Sequence, residues 1–200
     1  MTSAPIVGLI LAGGRSRRLG SHDKTFLELA GKSLLAHVIA RLAPQVDMLA
    51  INSNTPAAAF AAFGLPVIAD RKPGQLGPLA GIHAGLSAWP DHRLVTVAVD
   101  LPFLPSDLVA RLARATGACR YASDGARHAL ALMWEPGQAD AVEQFLDRGG
   151  RSLRDWLALH GTPMHFDPAD DADLFLNINT ADDLRRAARR LTSTTEPPLS

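Results

Sequence analysis

Four apolar, β-branched runs constrain this chain more than any other feature: IVGLILA at residues 6–12, VDMLAIN at 46–52, LPVIAD at 65–70 and RLVTVAVD at 93–100. Continuous runs of this kind suit parallel strands covered on both faces. Between them, SLLAHVIARLAP (33–44) and PLAGIHAGLSAW (78–89) repeat apolar residues every three or four positions, and Ser33 offers a side-chain cap at its helix start. Strands alternating with helices predict an α/β fold in three layers, with a doubly wound, mostly parallel sheet.

The rhythm loosens after Asp100. Pro102 and Pro105 are expected to open a helix running through Ala115, and ACRYAS and HALALMW read as strands around an Asp124-Gly125 turn. PGQADAVEQFLD and RSLRDWLALHG read as helices, and FLNINT leads into a last helix at 181–191. Two hundred residues, 47% of them hydrophobic, suffice for one buried core. The expectation is a single domain over 1–192 and a polar, proline-bearing, disordered tail at 193–200.

Twenty Lys plus Arg balance twenty Asp plus Glu. The chain lacks the global positive excess that nonspecific binding to nucleic acid or an anionic membrane requires, so any anion site must be local. The first apolar stretch is far shorter than the ~20 residues of a membrane span. Cys119, the only cysteine, excludes an internal disulfide and any clustered-thiolate site, and reads as a small buried residue. Together these features predict a cytoplasmic protein.

The local anion site is sought after Leu11, because ligands of open α/β sheets sit beyond the carboxyl ends of the strands. There LILAGGRSRRLGSHDK places Gly13 and Gly14 ahead of Arg15, Arg17, Arg18 and Lys24. Glycines let a ligand approach the main chain, successive N–H groups form an anion-binding concavity, and guanidinium forks match phosphate oxygens. The combination suits a polyphosphate. It lacks both the GxxxxGK[ST] spacing of a P-loop and the GxGxxG of dinucleotide binders.

LAGGxSxRxG followed by Asp23-Lys24, GPLAGI at 77–82, VDLPFL around Asp100 and the late Asn177-Ile-Asn179-Thr180 together resemble the molybdenum cofactor guanylyltransferases, in family order from about residue 6 to 190. The resemblance implies a Rossmann-like nucleotidyltransferase fold of the glycosyltransferase-A kind. It implies transfer of GMP from GTP to the phosphate of molybdopterin, with release of pyrophosphate and dependence on Mg2+. Leu11, Ala12, Gly13 and Gly14 match the family's nucleotide-lining segment, Lys24 the lysine that meets the phosphates, and Arg18 its arginine position. Asn52, Asp70 and Gly77 match further GTP contacts. LAGG resembles the GTP users, whereas related cytidylyltransferases more often read LAAG. Proteins that supply molybdopterin and molybdoenzymes that receive the product are the implied partners.

Asp100 ends the run VTVAV just where a buried strand must stop, on the edge expected to carry the glycine loop. One carboxylate with phosphate oxygens and waters can hold magnesium, and an Asp here can equally cap a following helix. The resemblance assigns Asp100 to the metal and, with Lys24 and Arg18, to catalysis. For molybdopterin it points to Asn177, Asn179 and His128. If FLNINT is extended, both asparagines face one side, while Thr180 suits an N-cap of the helix that follows. Ala129 stands where the family often carries proline after His128. Arg148 and Arg151 read as a solvated helix end, and the remaining histidines show no metal-ligand spacing.

Three other readings stay open at this stage. They are a cytidylyltransferase of the same cofactor, another nucleotidyltransferase acting on a phosphate acceptor, and a noncatalytic nucleotide-binding module.

Overall fold

The structure, a computed structural model, describes residues 4–13, 24–74, 76–125, 128–167 and 173–193. Gly14, Arg15, Arg17 and Arg18, and the tail beyond Ser193, lie outside these residues. The elements in chain order are β1 (Ile6–Leu11), β2 (Glu28–Leu29), β3 (Lys32–Ser33), α1 (Leu34–Leu42), β4 (Met48–Asn52), β5 (Val67–Ile68), α2 (Pro78–Ala88), β6 (Arg93–Ala98), α3 (Leu108–Leu112), β7 (Cys119–Ser123), β8 (His128–Trp134), α4 (Ala139–Asp147), α5 (Leu153–His160), β9 (Gly161–His165) and α6 (Ala181–Ser193).

Seven strands form one sheet in the order β5-β4-β1-β6-β8-β7-β9. β1 pairs in parallel with β4 on one side and β6 on the other, so that Leu11 stands opposite both Asn52 and Ala98. β8 alone among the seven runs against its neighbours, pairing antiparallel with β6 and β7. The chain leaves β1 toward β4 and β5, then returns across the sheet to β6. The order therefore reverses at β1, and a crevice opens beside it at the carboxyl edge.

β1 shows why its run is apolar throughout. Val7, Leu9 and Leu11 pack in a cluster with Leu79, Ile82 and Leu86 of α2, Val142 and Leu146 of α4, and Trp156 of α5. On the opposite face, Ile10 joins Leu35, Val38 and Leu42 of α1 with Leu108 and Leu112 of α3. Helices thus cover both faces, which bears out the three-layer α/β expectation. Each such buried leucine or isoleucine contributes roughly 1.5–3 kcal/mol relative to exposure. α2 lies so close to the sheet that a Cβ on Gly85 would come 2.5 Å from Leu9 Cδ2.

A third cluster joins Leu29 and Leu34 to Phe103, Leu176, Ile178 and Ala187, docking α6 near the carboxyl edge. Ser33 accepts a hydrogen bond from the Ala36 N–H, as its capping role requires. Cys119 is buried, and desolvation pushes its thiol up to about 12, so it is an inert packing residue.

Two expectations are corrected. The helix expected from Pro102 and Pro105 through Ala115 shrinks to α3, because residues 101–105 are buried in an irregular segment whose two prolines lack N–H donors. The last helix continues past Leu191 to Ser193. β9, unforeseen, pairs in parallel with β7 at the sheet edge. Its sequence, GTPMH, contains a proline that only an edge strand tolerates.

Candidate active site

Strand ends converge at the carboxyl edge. The Ala12 N–H donates to Asn52 O at 2.9 Å and the Val99 N–H to Leu11 O at 3.2 Å, so the segments leaving β1, β4 and β6 stay in register beyond the ladder. Ala12 is buried and Gly13, where the glycine loop begins, is exposed. Gly14 and Arg18 belong to the part of that loop outside the described residues.

Lys24 returns the chain to this edge in a short 3-10 turn, Lys24–Phe26. The turn is anchored by the fully buried Thr25 and by Phe26, whose ring lies 5.6 Å from that of Phe60. Lys24 Nζ donates to Asp100 Oδ2 at 2.9 Å and also to Asn179 Oδ1. Both members of the ion pair are mostly buried, at 14% and 18% exposure. One ammonium group therefore joins the first loop, the end of β6 and the segment before α6.

The FLNINT segment is held here by its backbone, since the Ile178 N–H donates to Asp100 O at 3.0 Å. Leu176 and Ile178 are buried, so Asn177 and Asn179 share the outward side, as alternation along an extended piece requires. Asn179 reaches Lys24; Asn177 stands half-buried and does not share that bond.

Thr180 caps α6 through a reciprocal box. Its hydroxyl accepts from the Asp183 N–H at 3.2 Å, and Asp183 Oδ2 accepts from the Asn179 N–H, the Thr180 N–H and the Thr180 hydroxyl. Burial raises the Asp183 carboxyl, but these donors and the Lys24 charge outweigh it and hold the group below its ordinary range. Asp183 thereby fixes the backbone that carries Asn179.

Across the crevice, Asn52 is buried at the end of β4 and donates from Nδ2 to Ile68 O at 3.2 Å and to Asp70 Oδ1 at 3.0 Å. α2 passes so near that a Cβ on Gly81 would lie 2.1 Å from Asn52 Oδ1. Only glycine fits. Gly77, ahead of α2, has φ 68° and ψ −165°, a conformation essentially restricted to glycine, and no side chain caps this helix start. The Gly77 carbonyl accepts from the Ala80 N–H at 3.2 Å, while the first N–H groups of a helix find no acceptor within the helix itself.

His128 opens β8 opposite Ser123, on the same edge, beside a register shift in the β7–β8 pair. Arg151 Nη1 donates to Leu146 O and Gly150 O, both at 2.6 Å, closing the end of α4, as expected of a structural role. Among the described residues no cluster of three or more His, Cys, Asp or Glu could hold a metal by itself. No described helix is long and apolar enough to cross a membrane.

The structure thus gathers Lys24, Asp100 and Asn179 on one side of the crevice and Asn52, Asp70, Gly77 and Gly81 on the other. Sequence reasoning missed Asn54 and Asp183. The Asn-x-Asn spacing at 52–54 and the Thr-x-x-Asp spacing at 180–183 were the available signals. Chemically, the edge offers a cation, a carboxylate and amide donors and acceptors around a glycine-bounded cleft.

A family profile described as MobA-like NTP transferase domain matches residues 8–163. The chain is 42% identical over 203 residues to the molybdenum cofactor guanylyltransferase of Mesorhizobium japonicum, covering 95% of this chain and 98% of that protein. It is likewise 42% identical over 199 residues to the enzyme of that description from Bradyrhizobium sp., covering 94% of each. The crystal structure of the molybdopterin-guanine dinucleotide biosynthesis protein A from Archaeoglobus fulgidus superposes with a TM-score of 0.77 at 26% identity, covering 94% of this chain and 99% of that one.

Proposed function

The chain belongs to the MobA-like NTP transferases and, among them, to the molybdenum cofactor guanylyltransferases; from that premise we propose that it transfers GMP from GTP to the phosphate of molybdopterin, releasing pyrophosphate. The observation that carries the reading is the convergence of Lys24, Asp100 and Asn179 at the carboxyl edge, where the family's phosphate, metal and acceptor positions meet. Residues 1–192 are read as one catalytic domain, supported by the continuous seven-stranded sheet.

An anionic oxygen of the molybdopterin phosphate attacks the α-phosphorus of GTP; the new P–O bond forms as the bond to the β-phosphate oxygen breaks, and its electron pair departs on pyrophosphate. The attacking oxygen is already ionised, so the step needs alignment and charge neutralisation rather than a general base. Lys24 donates N–H to phosphate oxygens as charge shifts toward the leaving group, and Arg18 acts in the same sense. Leu11, Ala12, Gly13 and Gly14 line the nucleotide, with Asn52, Asp70 and Gly77 on its far side. Asn179 and Asn177, together with His128 at the start of β8, are assigned to the pterin.

Magnesium fits the donor set. Asp100 offers a hard carboxylate whose Oδ1 has no hydrogen-bond partner among the described residues, and the neighbouring cation-holding group, Asn179 Oδ1, is also an oxygen. Asp100 would hold the ion, with phosphate oxygens and waters completing its shell. Bound magnesium supplies neutralisation of phosphate charge and steadies the departing pyrophosphate. A cytoplasmic location is supported by the single buried thiol, and protein partners that supply molybdopterin or receive the product belong to the same reading.

The test is incubation with molybdopterin, Mg2+ and each nucleoside triphosphate in turn, with mass analysis of the nucleotide joined to the pterin. GMP from GTP is expected. Turnover with CTP and none with GTP would replace the guanylyl assignment, and binding without turnover would reduce the protein to a nucleotide-binding module.

A further inference from the structure

Asp70 has both carboxylate oxygens engaged by asparagines. Oδ1 accepts from Asn52 Nδ2 at 3.0 Å, and Oδ2 accepts from Asn54 Nδ2 at 2.8 Å. Asn54 closes a ring by accepting the backbone N–H of Asp70 at its own Oδ1, 3.0 Å away. Among the described residues no lysine, arginine or histidine forms an ion pair with this carboxylate. Asp70 is therefore held at both oxygens by neutral donors, and among the described residues no cation pairs with it. Turning the carboxylate would break these two amide bonds.

The two engaged oxygens differ in how their donors are supported. Asn52 is buried and wedged against Gly81. Asn54 is exposed, and among the described residues every hydrogen bond of its side chain goes to Asp70. The backbone there needs no such ring, since the Ile51 N–H donates to Pro66 O and the Ser53 N–H to Ile68 O, both at 2.9 Å. The ring orients one side chain at the mouth of the crevice.

An ionised carboxylate only accepts hydrogen bonds, and each oxygen keeps a further lone pair when one is engaged. A fixed pair of acceptors suits a base edge with two adjacent donors. Guanine has one, N1–H beside the 2-amino group. Cytosine and adenine place a ring-nitrogen lone pair at the corresponding position, which a carboxylate repels, and uracil flanks its single N–H with carbonyl oxygens. A carboxylate free to turn would discriminate less, because it could follow whichever donor was offered.

We infer that Asn54 is a positioning residue for base selection, acting through Asp70: it holds the carboxylate in the plane that favours guanine. The inference rests on the reading of this edge as a GTP site. A merely structural clasp between the loops after β4 and β5 would affect stability and leave the ratio between two donor nucleotides unchanged.

The experiment compares kcat/KM for GTP and for ITP, which lacks the 2-amino group, in the wild type, Asn54→Ala and Asn54→Ser, with thermal unfolding measured alongside. The wild type should favour GTP by about tenfold to a hundredfold, the worth of one hydrogen bond to a charged acceptor. Asn54→Ala should cut that preference by about threefold or more, through a higher KM for GTP with kcat little changed, and Asn54→Ser, which keeps a short donor, should recover part of it. If alanine impairs folding, the serine variant alone decides by the same ratio. An unchanged GTP-to-ITP ratio in both variants overturns the role of Asn54. Equal use of GTP and ITP by the wild type overturns base reading by Asp70 and leaves GMP transfer standing, whereas no turnover of GTP at all sinks the reading of the site itself.

Discussion

Lys24 and Asp100, 76 positions apart in the chain, lie in direct contact, with Nζ 2.9 Å from Oδ2, at the end of the central strands. Each neutralises the other where water has limited access, and a phosphate group with its counter-cation can replace either partner. Lys24→Met should lower the rate of GMP transfer by about a hundredfold, the usual cost of losing one preorganised donor to transition-state charge, with a smaller change in KM. Asp100→Asn should lose magnesium-dependent turnover and retain the wild-type circular dichroism spectrum. Pyrophosphate release against magnesium concentration measures both, and an Asp100→Asn enzyme with a wild-type magnesium profile would exclude the carboxylate from the metal site.

Two glycines one turn apart on α2 should fail differently. At Gly81 an added Cβ would meet Asn52 Oδ1, so Gly81→Ala must displace Asn52 and its bonds to Ile68 and Asp70. We expect a KM for GTP raised by about tenfold, the worth of one good hydrogen bond. At Gly85 the obstacles are Leu9 and Leu94 in the core. Gly85→Ala should cost about 1–3 kcal/mol of stability by overpacking and leave KM near wild type. Paired thermal melts and kinetics separate the two outcomes.

His83 gives stability a pH dependence. It is 3% exposed, its Nδ1 has no hydrogen-bond partner among the described residues, and its Nε2 meets Ser87 Oγ at 3.3 Å. Burial pushes the imidazole below its ordinary value, opposed by Glu143 and aided by Arg71 and Lys72. As pH falls below about 6.5, the unfolded chain takes up a proton here before the folded one does. Stability should therefore fall on acidification through that range and return as pH rises. His83→Leu should flatten this slope between pH 7 and pH 5 in urea titrations; an unaltered slope would place the dependence elsewhere.

Ser33 supplies the first acceptor of α1, taking the Ala36 N–H at 3.2 Å. Ser33→Ala should cost about 1 kcal/mol, read as a lowered urea midpoint with an unchanged denaturant slope, and should leave catalytic constants unaffected because the cap lies outside the cleft.

The central strands were legible because they are buried on both faces, so that nearly every residue from Ile6 to Ala12 had to be apolar whatever its neighbours. β9 was illegible for the converse reason: an edge strand with one partner carries no continuous apolar run, and GTPMH is strand only because β7 stands beside it. The shortened α3 was hidden by context too, since the buried, irregular course of residues 101–105 is fixed by packing that no helical period records.

The sequence by itself determined the layer architecture and which motifs to look for at the carboxyl edge, since hydrophobic periodicity is local and the glycine, lysine and aspartate motifs are written in single stretches of chain. Tertiary structure decided which of those groups act on one another. Lys24 meets Asn179 across 155 positions, and Asn54 locks Asp70 across 16. Such contacts depend on how strands and helices are brought together, and side-chain hydrogen bonds reach only about 3 Å, so no pattern along the chain encodes them.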